Sequence, residues 1–381
     1  MMNLQGTQLR TNGYSLVEVL ISMTLGLILL LGALQIFVRA SVTHAEMAAR
    51  QRMLEGARLA ISFLGDELMM AGYLGCFGAL GDRQINNNLD AAPASFQPWF
   101  GLQGWESTGT AFKDAIPSAT TLSLVGTTSS EWNTSEQGHV LPRFGALPNS
   151  DILRTWSVEG AASTVVGVDH SPSSIRLINA LDISRNDFVL VSDCASADIV
   201  QTCAIALQPS SAVLVMSGTC MPGNRANIRL LTHASAADPA EAMRIKSNIF
   251  YVSKRGADAK NPPALFRRSL GSDGLPEAAE ELVEGVESMQ LLYGVAQGNG
   301  VVGGVHAYLP ADQVSDFSNV VSVRLNLLMR SVDYAQTDPS QKYEFNGVVY
   351  SATGKVELSE DRRLRHGFVA TYYLRNHGLG L

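Results

Sequence analysis

The chain has 381 residues, a formal net charge of −7, and 46% hydrophobic against 17% charged side chains. That apolar content excludes a disordered chain, and the acidic balance argues against a nucleic-acid partner, which needs a basic face. The length suffices for one large or two small globular units.

Residues 1–13, MMNLQGTQLRTNG, are short and polar, and Arg10 favours the cytoplasmic side of a membrane. From Tyr14 to Val38 the chain reads YSLVEVLISMTLGLILLLGALQIFV, with Glu18 its single charge. About 20 apolar residues cross the hydrocarbon core as a helix, so residues 14–38 can span it. The stretch is too long for the core of a conventional secretory signal peptide. By hydropathy alone it reads as an ordinary signal anchor. Two residues shift that reading. Gly13 stands at the polar–apolar junction, where a membrane-embedded protease meets an unhindered peptide bond. Glu18 lies five positions into the span, where an unpaired carboxylate is costly. A cut after Gly13 would supply its partner, the new α-amino group of Tyr14.

The stretch Gly13-Tyr14-Ser15-Leu16-Val17-Glu18 closely resembles the class III signal of type IV prepilins, G-F-T-L-I-E, with Tyr14 and Ser15 as mild departures. The resemblance implies cleavage by a prepilin peptidase between Gly13 and Tyr14, followed by N-methylation of Tyr14. Glu18 would then pair with an N-terminal amine, its own or a neighbour's, as the subunit docks into a filament.

Beyond Val38 the pattern turns amphipathic: Met53, Ala57, Ala60, Leu64 and Leu68 recur at 3–4 spacing and line one helical face. No proline interrupts residues 14–75, so one helix of about 60 residues, roughly 90 Å long, is expected. Residues 39–75 form its continuation, ending at the glycines of Ala71-Gly72-Tyr73-Leu74-Gly75-Cys76. Gly26 and Gly32 could loosen the apolar half, and whether it melts in a filament is left open.

From residue 76 to 381 the signals are for a mostly antiparallel, β-rich head. Short apolar or alternating runs are expected as strands at Thr121–Val125, Asp151–Val158, Phe188–Ser192, Ala212–Met216, Ile228–Leu231, Ile249–Ser253, Met289–Val295, Val320–Met329, Val348–Ser351 and Phe368–Leu374. Residues 78–117, rich in Asn, Gly and Pro, read as a long surface loop or insertion. The segment KRGADAKNPP at 254–263 reads as a hairpin connection. The fold class is therefore α+β, a long N-terminal helix packed on a β head.

Cys76, Cys194, Cys203 and Cys220 form no CxxC pair and have no histidine at zinc-ligand spacing. If the head lies outside the cytoplasm, disulfides are the default expectation, with three pairings open. Seven histidines, at 44, 139, 170, 233, 306, 366 and 377, are scattered, and no hydrolase, zincin or nucleotide-binding motif appears. Asp187, Asp193 and Asp198 lack the EF-hand pattern for calcium. Trp99, Trp105 and Trp156 read as packing residues. No enzyme activity, cofactor or metal is expected.

Several stretches of the head also resemble the PilW family of minor pilins. They are Asp187-Phe188-Val189-Leu190-Val191-Ser192-Asp193-Cys194-Ala195-Ser196-Ala197-Asp198, Gly72 to Cys76, Asn248–Ser253 with Leu265–Ser269, the turn Glu281–Glu287, and the closing run from Arg362 to Asn376. Their order along the chain carries the resemblance. It implies a minor subunit of the type IV pilus of a Gram-negative bacterium, held in the inner membrane with its head in the periplasm and later carried on the pilus at the cell surface. Such a subunit primes assembly with other minor pilins and the major pilin, sits at or near the tip beneath a tip adhesin, and supports motility and adhesion. The alternatives are a minor pseudopilin of a type II secretion system and, from another class, a membrane-anchored periplasmic binding protein or enzyme.

Overall fold

A computed structural model describes residues 13–77, 85–119, 122–128, 130–170, 173–178, 182–232, 239–256, 261–296, 304–333, 342–351, 361 and 363–376. The leader before Gly13, with Arg10, lies outside the described residues, as do His233, His377 and Arg362.

One helix, α1 (Leu16–Met70), carries the whole N-terminal region. Ser15 opens it in an extended conformation, its hydroxyl accepting from the Val17 amide at 3.3 Å, which satisfies one of the free amides of the first turn. It stops at Ala71 and Gly72, the latter at φ +74°, at the glycine break expected from the sequence.

Twenty strands follow among the described residues: β1 (Ile85–Asn87), β2 (Leu102–Ser107), β3 (Val125–Gly126), β4 (Trp132–Asn133), β5 (Gly145–Ala146), β6 (Ile152–His170), β7 (Ser173–Ile178), β8 (Phe188–Ser192), β9 (Ala197–Gln201), β10 (Ala204–Gln208), β11 (Ser211–Val215), β12 (Ala240–Lys254), β13 (Pro263–Ser269), β14 (Glu280–Glu284), β15 (Val286–Ala296), β16 (Val305–Leu309), β17 (Val320–Arg330), β18 (Lys342–Phe345), β19 (Val348–Ser351) and β20 (Arg365–Tyr373). The larger sheet runs β1-β9-β8-β12-β6-β7-β11-β10, with β13, β14, β2 and β4 joined at its side. A four-stranded sheet runs β16-β15-β17-β20. Apart from the parallel β1–β9 pair, the described ladders are antiparallel. The α+β class holds.

The core lies where α1 and the two sheets meet. The register sets Met289, Leu327 and Phe368 in one row and Leu291, Leu325 and Ala370 in the next. Every second residue of these strands thus points toward the helix stripe Met53, Ala57, Ala60, Leu64 and Leu68. From the larger sheet, Leu102, Leu153, Phe250 and Val252 join the same core. The sheet's opposite face carries a second cluster around Trp156, Val158 and Ile245. A buried ion pair, Arg365 Nε to Glu287 Oε2 at 2.6 Å, ties the start of β20 to β15.

Three expectations need correction. Residues 78–117 are not a surface loop. Residues 78–84 lie outside the described ones, but the rest supplies β1 and β2, and all six residues of β2 are buried. The strand reads as polar because its Gln103 is satisfied inside, donating to Gln97 Oε1 at 2.8 Å and accepting from the Trp156 indole at 3.0 Å. Ile228–Leu231 is not a strand. Its Ile228 and Leu230 pack on the core, but the Arg229 carbonyl accepts from the side chain of Asn86 in β1, not from a strand's backbone amide. Thr121–Val125 shrinks to the bridge Val125–Gly126 with β5, residue 121 lying outside the described ones. The 254–263 connection does join an antiparallel pair, β12 to β13, although 257–260 are not described.

Candidate assembly site

Gly13, Tyr14 and Ser15 have no regular structure and are exposed. A Cβ built on Gly13 would meet nothing within 4 Å. The bond after Gly13 is therefore exposed and unhindered, and it stands directly before the helix cap. Glu18 lies in the first turn of α1, at the positive end of the helix dipole, and among the described residues no cation pairs with it. The hydroxyls of Ser22 and Thr24 fold back onto the Glu18 and Ile21 carbonyls at 2.7 and 2.8 Å, which leaves their polar groups satisfied within the helix.

Among the described residues the apolar half of α1 is exposed along its length. Its most apolar 18-residue window has a mean hydropathy of 2.3, and none of it is buried. A soluble protein does not leave so large an apolar surface bare. The helix is long and apolar enough to cross a bilayer, and its surface is equally available for packing against other helices.

The other half is fastened to the head by contacts that sequence patterns do not announce. Gly65 makes room for Tyr372, whose hydroxyl donates to the Ile61 carbonyl at 2.9 Å. Glu67 accepts from Lys246 Nζ at 2.6 Å and from the Thr155 hydroxyl at 3.3 Å. Beyond the helix end, the Gly72 amide donates to the Trp156 carbonyl at 2.8 Å and the Val158 amide to the Tyr73 carbonyl at 2.9 Å. Cys76 then forms a disulfide with Cys194 on the β8–β9 connection. Cys203 and Cys220 form the second disulfide, closing the base of the β10–β11 hairpin. All four cysteines are thus paired, and the open question of connectivity has its answer.

In the head, the aspartates at 187, 193 and 198 serve separate parts of the fold. Asp198 accepts from Asn86, Asn88 and Thr232, Asp193 from the amides of Ala195 and Ser196, and Asp187 from the Ser184 amide. Among the described residues no group of His, Cys, Asp or Glu has the arrangement of a metal site. Trp156 and Trp105 are core residues, 0% and 3% exposed. His139 is buried in an aromatic cage of Phe100, Trp105 and Phe317, with ring centroids at 4.6, 5.9 and 5.0 Å. Burial pulls its imidazole down to about 4. Burial likewise raises the neighbouring Glu136 carboxyl and the Glu106 and Asp151 carboxyls. None of these residues forms part of a sequence motif.

A family model described as Type IV Pilus-assembly protein W matches residues 249–376, from the middle of β12 to just past β20. The model of the prokaryotic N-terminal methylation motif matches residues 9–34, which include Gly13, Tyr14 and Glu18. No curated protein and no solved structure matches the chain.

Proposed function

The chain is a PilW-type, prepilin-like protein and a type IV pilus-related minor pilin, and from that premise we propose that it helps to prime pilus assembly and sits at or near the tip. In this reading a prepilin peptidase cuts between Gly13 and Tyr14 and methylates the new Tyr14 amine. The apolar half of α1 anchors the subunit in the inner membrane with its head in the periplasm, then transfers into a bundle with the other minor pilins and the major pilin. Glu18 and a Tyr14 amine fix the register of that transfer, because an acid in a low-dielectric bundle needs a cation. Motility and adhesion follow from the pilus, with a tip adhesin as a further partner. The mechanism is physical: one surface exchanges lipid for protein.

The observation that carries the reading is the bare apolar helix half, which begins just after an exposed Gly13–Tyr14 bond and continues into the helix stripe packed on the head. Intact-mass and N-terminal analysis of the protein from its native membrane tests it. The expected species begins at N-methyl-Tyr14; a chain retaining residues 1–13 would sink the assignment. Glu18→Ala should insert into the membrane normally yet fail to enter pili. Normal incorporation would remove the docking role.

A further inference from the structure

Strand β12 changes neighbours along one of its edges. β8 runs beside it as far as the rung Arg244↔Val189, and β13 takes over from the rung Asn248↔Ser269. The Leu270 amide, donating to the Ser247 carbonyl at 3.0 Å, closes the β13 side of the gap. Where the two strands part, a cleft of about 430 Å³ opens, within the range of small-ligand sites, about 300–1,000 Å³. Arg244, Lys246 and Asn248 alternate along β12 and so project from the same face into this region, while Phe188, Ile245 and Leu270 give the cleft an apolar wall.

The cations of the cleft are already met. The Arg244 guanidinium holds Glu159 through Nη2 and lies 3.9 Å from Asp187 through Nη1. Lys246 Nζ holds Glu67 at 2.6 Å, and Arg267 Nη2 holds Glu280 at 2.6 Å. An anion therefore finds no free counter-charge here. What remains is hydrogen-bonding capacity. Asn248, 1% exposed, accepts the Ser269 hydroxyl at 2.9 Å through Oδ1, while its Nδ2 donates to nothing. Arg244 Nε likewise donates to nothing. Unmet donors in so sheltered a place are costly. At the rim the exposed Glu277 carboxylate has no partner among the described residues, and a lone exposed carboxylate holds a cation only weakly.

The ligand that matches is uncharged, carries adjacent hydroxyls that both donate and accept, and has an apolar face. We propose that this cleft binds a neutral pyranose sugar. Asn248 and Arg244 donate to its hydroxyls, Glu277 accepts from another, and the apolar wall meets the C–H face of the ring. The Arg244 side chain is 40% exposed and has the freedom to turn its Nε edge to the sugar. Glu159, Asp187, Arg244 and Asn248 all precede the family match, which begins at residue 249. The site is thus an addition made by this head, and it does not depend on how the helix is used.

Saturation-transfer NMR of the full chain, in micelles of a detergent without a sugar headgroup, tests this against glucose, galactose, mannose, N-acetylglucosamine and N-acetylgalactosamine. At least one of them should receive saturation on its ring protons, and its titration gives a Kd. Asn248→Leu keeps the size of the side chain and removes the donor. It should raise that Kd at least about tenfold, the loss expected when a hydroxyl in a sheltered site is left without its partner. Should that variant fail to fold, Glu277→Ala, a change at an exposed position, decides the matter by raising the Kd at least about threefold. Silence from all of these sugars, or an unchanged Kd in a variant that folds, would overturn the proposal.

Discussion

Gly65→Ala offers a test in which the sign, not only the size, decides. In an exposed helix interior this change stabilises by about 1 kcal/mol, because alanine loses less backbone freedom than glycine. Here a Cβ on residue 65 would lie 2.5 Å from both Cε1 and Cζ of Tyr372 and 2.6 Å from its hydroxyl oxygen. The ring must retreat by roughly 1 Å to reach ordinary contact distance. It cannot do so and keep the 2.9 Å hydrogen bond to the Ile61 carbonyl. Losing that bond costs about 0.5–1.5 kcal/mol, and overpacking against a formed core costs about 1–3 kcal/mol. Set against the helix gain, the net effect is a destabilisation of about 1–3 kcal/mol. Urea unfolding of a soluble form starting at residue 39 reads it as a lower midpoint at unchanged slope. Repeating the change in a Tyr372→Leu background should remove the penalty and restore the alanine gain. A more stable Gly65→Ala in the wild-type background would refute the claim that this contact fixes the helix on β20.

Three further outcomes are expected. His139 is held neutral, its imidazole depressed from 6.5 to about 4 by burial, so between those values the unfolded chain takes up a proton that the folded chain refuses. Stability should fall as pH drops from 6.5 toward 4, by up to about 3 kcal/mol, and His139→Phe should flatten the profile. Because the raised Glu136 acts in the opposite sense, the difference between the two proteins is the readout, and no difference would count against a neutral buried His139. Replacing Cys76 and Cys194 together by Ser opens a loop of 118 residues and should cost about 2–5 kcal/mol, seen as a drop in melting temperature; an unchanged temperature would contradict the staple. Gly13→Trp should leave an uncleaved precursor by intact mass, and a mature mass would argue against cleavage at that bond.

The parts of this molecule that were legible in the sequence are those written as local patterns. The helix stripe from Met53 to Leu68 follows the 3.6-residue period, and all five positions are buried. β8 and β19 carry compact apolar runs and fall where expected. β2 was hidden because a strand buried on both faces shows no alternation, and its Gln103 and Glu106 find their partners only in the fold. Ile228–Leu231 misled for the converse reason: apolar spacing reports burial, whereas a strand also needs a neighbouring backbone. The disulfide partners and the Gly65–Tyr372 contact lie tens to hundreds of positions apart. No window along the chain joins them; only the packing of α1 and the sheets does.

The Cys76–Cys194 bond also determines how the head would carry load. A pull along α1 first shears the helix stripe, the Tyr372 hydroxyl bond and the Glu67–Lys246 pair. What passes the helix end meets a covalent link six residues after Met70 and enters the β8–β9 hairpin beside β12. The chain between the two cysteines is thereby bypassed. Tension on the helix reaches the centre of the larger sheet without unravelling the residues that intervene in sequence, and β2 stays out of the force path.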